Sequence, residues 1–164
     1  MEELNMQKHN FLKEIEKLHN RNILSQEIGE DYFEPGMMEY LEQSDGIYEE
    51  VTGRVVIKFE AKGTRYDGRT EQIEKVKQGD EIQVLREECN PFNSNNYMLL
   101  TKKGKNVGNM PAELCNVIAP LHDGGNLIFE HAKVSFVEPI SKRSRYAKQA
   151  ILFVELVCTL VHLD

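Results

Sequence analysis

The sequence predicts a mainly β protein of the α+β class: a small, strongly bent β-barrel with one inserted helix, preceded by a helical N-terminal extension. Three observations predict it. From Ile47 onward, short β-branched or alternating runs recur between glycine-containing turns. A single segment among them, "PAELCNVIAPLHDGG", carries helical spacing. Before residue 47 the apolar residues recur at three- and four-residue steps. The change falls in "EQSDG", which divides the chain into an extension over residues 1–46 and a β domain over residues 47–164.

In the extension, Phe11, Leu12, Ile15, Leu18 and Leu24 mark one face of a helix over Asn5 to Leu24. A second short helix is expected from Glu34 to about Gln43, opened by Pro35. Two short helices are marginal alone in water, so the extension is expected to pack on its own barrel or on a dimer mate.

The β domain opens with "YEEVTGRVVIKFEAK", broken by the glycines of "GTRYDGRT". "DEIQVLREE" follows the Gly79-Asp80 turn and alternates through Ile82 and Val84. "NYMLLTKKGKNVGNM" reads as a hairpin about Lys103-Gly104. The helix then starts at Pro111, buries Leu114, Val117, Ile118 and Leu121 on one face, and stops at Gly124. "NLIFEHAKVSFVEPI" and "QAILFVELVCTLV" are two strands joined by the basic loop "SKRSRYAKQ".

Composition narrows the function. The chain has 164 residues, 40% hydrophobic and 29% charged, as in an ordinary globular protein. The N-terminal stretch is charged throughout and lacks a signal-peptide pattern. The chain's most apolar run, Ala150 to Leu163, is too short to cross a bilayer and contains Glu155. Three widely spaced cysteines, Cys89, Cys115 and Cys158, indicate neither a disulfide framework nor a zinc site, and a reducing cytoplasm is the expected location. The net charge of −7 is uneven. Residues 1–50 hold 4 Lys/Arg against 13 Asp/Glu, whereas residues 51–164 hold 16 against 14. The segment after residue 50 is therefore slightly basic and residues 1–50 strongly acidic.

The most unusual stretch is the corner "REECNPFNSNNYMLL", which sets Phe92 among asparagines. Single-strand binders combine aromatic platforms with cations along the phosphate path. Phe92 and Tyr66 are candidate platforms. Arg65, Arg69, Lys102, Lys103, Lys105, and Lys142, Arg143, Arg145 and Lys148 of the basic loop are candidate phosphate partners. Each has a plainer reading. Phe92 plugs the space under its own turn, the asparagines only make Asx turns around Pro91, and the basic loop is a solvated tip. His122 and His131 lack partners at metal-ligand spacing, so neither a metal nor a cofactor is expected.

The run "LREECNPFNSNNYMLL…GKNVGNMPAELCNVIAPLHDGG" resembles a HIRAN domain, a small module found in certain SWI2/SNF2-type helicase-like translocases and as a stand-alone protein. The resemblance covers roughly residues 51–161 and implies an OB- or SH3-like barrel. It further implies capture of single-stranded DNA at its 3′ end, as in eukaryotic members. By that resemblance Asn90 and Phe92 occupy the Asn-Pro-aromatic corner, with Phe92 a base-stacking residue. Asn93 stands where the family has an aspartate that accepts from a terminal 3′-hydroxyl. Arg65 and Tyr66 match a basic-aromatic pair. Asn96-Tyr97 and Asn109 depart from the pattern, and the uncharged Asn93 weakens the case for end recognition.

No phosphate-binding Gly-x-x-x-x-Gly-Lys-Ser/Thr loop or nucleophile elbow is present, so the expected role is non-enzymatic. The reading is a nucleic-acid-binding module for single-stranded DNA or DNA ends, with a homo-oligomer or protein partner reached through residues 1–46 and no membrane association. The competing reading is a protein-interaction or regulatory module that does not bind nucleic acid.

Overall fold

The computed structural model describes residues 13–15 and 47–161. The two helices expected in the extension lie outside them, apart from residues 13–15, which are helical and bury Ile15. The β domain contains β1 (Ile47–Glu49), β2 (Arg54–Glu60), α1 (Arg69–Ile73), β3 (Ile82–Arg86), β4 (Tyr97–Thr101) and β5 (Asn106–Asn109). After them come α2 (Ala112–Asp123), β6 (Leu127–Glu138), a 3-10 turn at Ile140–Lys142 and β7 (Ile151–Leu160). The strands form two sheets, one ordered β1-β2-β7-β6 and the other β3-β4-β5. Among the described residues no helix is long and apolar enough to cross a membrane.

The described residues fall into two compact units. The first takes residues 13–15, 47–57, 113–130 and 157–161. Here "YEEVTGRVVIKFEAK" is two strands, because the chain reverses between Glu49 and Arg54 and pairs Ile47 with Val56. Helix α2 buries Leu114, Val117, Ile118 and Leu121, as its spacing predicts, together with Cys115 and Ala119. It runs through Pro120, and its left-handed terminating residue is Gly125 rather than Gly124. The amides of Gly125 and Asn126 donate to the carbonyls of His122 and Leu121, which satisfies the helix end. His122 is stacked on Phe129, with ring centroids 3.9 Å apart, a packing role. Cys158 is buried here, and burial, with Glu130 nearby, pushes its thiol far above its ordinary range. Cys115 is buried too, whereas Cys89 of the other unit is exposed.

The second unit, residues 58–112 and 131–156, holds every candidate site residue. Its fully buried side chains include Phe59, Ile73, Tyr97, Leu99, Leu152 and Val154. Each such apolar side chain contributes about 1.5–3 kcal/mol relative to exposure. The β3–β4 ladder is regular, from Ile82 opposite Thr101 to Arg86 opposite Tyr97, and β3 buries one face through Ile82. The β4–β5 ladder has a bulge, with Leu99 opposite Gly108 but Leu100 opposite Asn106.

The expected closed barrel is not formed by the described strands. Two isolated bridges, Lys62 with Asn109 and Glu81 with Lys133, are the links at which the two sheets meet. The reason lies in the connections. After β2 the chain leaves the sheet through Gly63, Asp67 and Gly68, all with left-handed backbone angles, and then forms α1. Strand β3 therefore starts only at Ile82, and each seam is limited to a short exchange of backbone hydrogen bonds. Helix α1 has no counterpart in the sequence reading, since five residues are too few to show a period.

Candidate functional site

The corner between β3 and β4 is built by Arg86, which ends β3, and Glu87, which follows it. Arg86 lies over the ring of its cross-strand partner Tyr97, 5.5 Å from the centroid, and donates to the carbonyls of Ser94 and Asn96. Glu87 accepts from the side-chain amides of Asn90 (2.6 Å) and Asn96 (2.8 Å). Charge-assisted bonds of this kind are about twice as strong as neutral ones, so the pair ties both arms of the corner to the strand end.

On that frame the asparagines form the turn. The Oδ1 atom of Asn90 accepts the backbone N–H groups of Phe92 (2.9 Å) and Asn93 (3.0 Å), and Oδ1 of Asn93 accepts that of Asn95 (3.0 Å). The asparagines therefore make the Asx turns that their plainer reading gave them. Phe92 does not plug its turn, because its ring is 95% exposed. A rigid polar turn that presents a bare aromatic ring is what the sequence left open and the structure supplies. Asn93 keeps its Nδ2 donors free of any hydrogen bond among the described residues, beside one occupied acceptor.

A second ring comes from the loop after β2. Thr64 is buried and donates its hydroxyl to the carbonyl of Ala150 (3.0 Å), while its own carbonyl accepts from the Thr70 hydroxyl (2.9 Å). The loop between them exposes Arg65 and Tyr66. Arg65 donates to the Tyr66 hydroxyl and sits 4.8 Å from its ring centroid, leaving the ring about half exposed. Arg69 donates to the carbonyl of Gly63 (3.0 Å), and its Nε is buried without a hydrogen-bond partner.

Asn109 links the two rings' supports. Its Oδ1 accepts from Asn96 at 3.3 Å, its backbone pairs with Lys62, and its amide nitrogen faces Gly63. A Cβ on Gly63 would meet Arg69 Nη1 at 2.7 Å, Asn109 Nδ2 at 3.4 Å and the Tyr66 ring at 3.9 Å. The chain of hydrogen bonds thus runs from the Phe92 corner through Glu87 and Asn96 to Asn109, whose side chain lies beside Gly63, the residue that accepts from Arg69. Sequence reasoning noted Asn109 only as a departure and did not assign Glu87 a part. Nothing short of the folded pairing of β4 with β5 brings them together.

The basic loop is braced rather than loose. Glu74 accepts from the backbone and hydroxyl of Ser141 (3.0 and 2.8 Å). Arg143 turns back to Glu138 (3.6 Å) and to the carbonyl of Gln149 (2.8 Å), so its guanidinium is committed to the loop. Lys142, Arg145 and Lys148 are exposed. Arg145 repeats the geometry of Arg65: it donates to the hydroxyl of its neighbour Tyr146 (2.8 Å) and lies 4.9 Å from that ring's centroid. Tyr146 is 76% exposed and was absent from the sequence-based set. The signal was present, since the dipeptide Arg-Tyr occurs in both "TRYDG" and "SRYAK". Among the described residues no cluster of His, Cys, Asp or Glu could hold a metal ion.

A family model, the HIRAN domain, matches residues 55–152, more than half of the chain. No curated protein matches. Among solved structures, the chain is similar to a crystal structure of the HIRAN domain of human HLTF, at 18% identity and a TM-score of 0.48, covering 66% of this chain and 81% of that one. A crystal structure of a protein from Lactobacillus plantarum gives 17% identity and 0.48 over 64% and 98% of the two chains. An NMR structure of the HLTF HIRAN domain in its DNA-bound conformation gives 17% and 0.43 over 64% and 75%. With its family model covering both the Asn-Pro-Phe corner and the Arg-Tyr loop, the chain belongs to the HIRAN domain family.

Proposed function

We propose that the protein is a non-catalytic nucleic-acid-binding module that takes single-stranded DNA or DNA ends on the rings of Phe92 and Tyr66. The observation that carries this reading is the 95% exposure of Phe92 on a turn whose backbone and asparagines are held by Arg86 and Glu87. An exposed ring on a fixed turn offers a base a stacking face with little ordering cost. Tyr66, about half exposed on the loop after β2, is the second platform, and Tyr146 is a third. Phosphates are met by the exposed cations Arg65, Arg145, Lys142 and Lys148, while Arg143 shapes the loop that presents them. The free Nδ2 donors of Asn93 suit phosphate oxygens, in place of the hydroxyl contact that an aspartate makes. Family membership supports the same ligand class.

The test is fluorescence anisotropy of the full chain with a labelled single strand and the same sequence as blunt duplex, at two salt concentrations. The expected result is preferential binding of the single strand, weakening as salt rises because phosphate neutralisation releases counterions. Equal affinity for the two forms, or affinity independent of salt, refutes the reading and returns the chain to the protein-interaction class.

A further inference from the structure

A separate feature lies at the other end of the β3–β4 ladder. The Phe92 corner caps the end where Arg86 faces Tyr97, and the opposite end pairs Ile82 with Thr101. Four strand steps separate the two, about 13 Å at roughly 3.3 Å per residue. There a pocket of about 250 Å³ opens between the segment after α1 and the β4–β5 hairpin. Lys75, Lys102, Lys103 and Lys105 surround it, and the buried side chains of Val76 and Ile82 lie at its base. The hairpin fixes three of these lysines. Gly104 and Thr101 donate their backbone N–H groups to the carbonyls of Thr101 and Lys105 (both 2.8 Å), and Thr101 Oγ1 accepts the amide of Lys105 (3.1 Å).

Two acids also line the pocket, Asp80 and Glu81. Asp80 is occupied by the amide of Lys77 (2.9 Å), and no ammonium of the four lysines is in an ion pair among the described residues. Four cations against two carboxylates leave a positive surplus around an apolar floor. Lysine ammonium is a compact, strongly hydrated charge that suits phosphate oxygens. The volume falls just below the usual 300–1,000 Å³ of small-molecule sites, which fits a phosphate with its sugar better than a larger ligand.

We propose that this pocket is a phosphate-binding site that holds the phosphate of a nucleotide, with its sugar over Val76 and Ile82. The phosphate comes either from a free mononucleotide or from a strand that also reaches the pocket.

The two sources separate in ¹H–¹⁵N chemical-shift titrations of the full chain at matched ionic strength, using 5′-AMP, inorganic pyrophosphate and a twelve-residue oligothymidylate as probes. Saturable shifts are expected at the amides of Lys75 and of residues 101–105, and they are lost in the K102Q/K103Q/K105Q variant. Shifts with AMP or pyrophosphate identify a free phosphate ligand. Shifts with the oligonucleotide alone identify a strand phosphate, and the triple variant then lowers the magnitude of the log–log salt slope by about 2. The Phe92→Ala variant keeps the pyrophosphate response even if it no longer binds oligonucleotide, so the pocket stands or falls apart from the stacking site. Absence of shifts with all three probes, or shifts that persist unchanged in the triple variant, overturns the proposal.

Discussion

Asn90 accepts the backbone N–H of Phe92 at 2.9 Å through its side-chain oxygen, so a side-chain-to-backbone hydrogen bond sets the direction of a ring that is itself almost wholly exposed. The same oxygen takes the amide of Asn93, and the same side chain donates to Glu87. Asn90→Ala removes all three bonds while leaving the ring in place. It is expected to cost about 1–2 kcal/mol of stability, in the range of a lost helix cap, and to weaken oligonucleotide binding with Phe92 still present. Urea unfolding and anisotropy on one preparation measure both. Unchanged affinity would show that ring direction does not matter.

Phe92→Ala gives the complementary result. An exposed side chain contributes little to folding, so stability should change by no more than about 0.5 kcal/mol. Binding should fall by about 1–3 kcal/mol if the ring stacks on a base. A stability loss without a binding loss contradicts the site.

Asn93→Asp replaces a donor amide by a carboxylate. A strand ending in a 3′-hydroxyl should bind the variant more tightly, and one ending in a 3′-phosphate less tightly, than the parent. Anisotropy with the two oligonucleotides on both proteins decides it. Equal affinities throughout would mean that strand ends are not read.

Gly108 sits at the seam where β5 meets the segment after β2. Its φ is +144°, and a Cβ there would lie 2.9 Å from the Lys62 carbonyl and 3.2 Å from the Ala61 side chain. Gly108→Ala should destabilise the fold by about 2–4 kcal/mol through backbone strain and overpacking. Chemical denaturation checks this, and a shift under about 0.5 kcal/mol would contradict the geometry.

Stability should also fall in alkali. The buried Cys158 thiol titrates above its ordinary value of 9.0, and Tyr48 is raised above 10.0 mainly by burial, with Glu14 and Glu50 adding to it. Between the unfolded and folded values the unfolded chain has lost protons that the folded chain keeps, so unfolding stability decreases with pH. Both contributions are intact below about pH 9 and are lost progressively above it. Cys158→Ala should flatten the onset just above pH 9 and leave the Tyr48 part. Denaturation midpoints at a series of pH values between about 7 and 11 test the sign.

How much of this was legible depended on how far apart the interacting residues lie in the chain. The face of α2, the Lys103-Gly104 hairpin, and the apolar runs of β6 and β7 follow from local spacing, and each was found where the sequence placed it. The Asn-Pro-Phe corner was also local, and its exposure was one of two stated alternatives. The barrel failed because alternation identifies a strand's buried face but not its neighbour, and the left-handed bend from Gly63 to Gly68 decides which strands meet. Arg143 was legible only as a cation. Its engagement with Glu138 and Gln149 depends on how the loop folds back. Glu87 and Asn109 were invisible as a pair because Asn96, which joins them, becomes a connector only once β4 lies between β3 and β5.

The unequal burial of the three cysteines gives the wild-type chain a ready-made reporter. Cys115 and Cys158 are shut inside, and Cys89 stands open one residue before the asparagine that orients Phe92. A maleimide dye added to the unmodified protein therefore lands at a single position beside the corner. Arrival of a ligand at that ring is then readable optically in a chain that contains no tryptophan, without introducing a substitution.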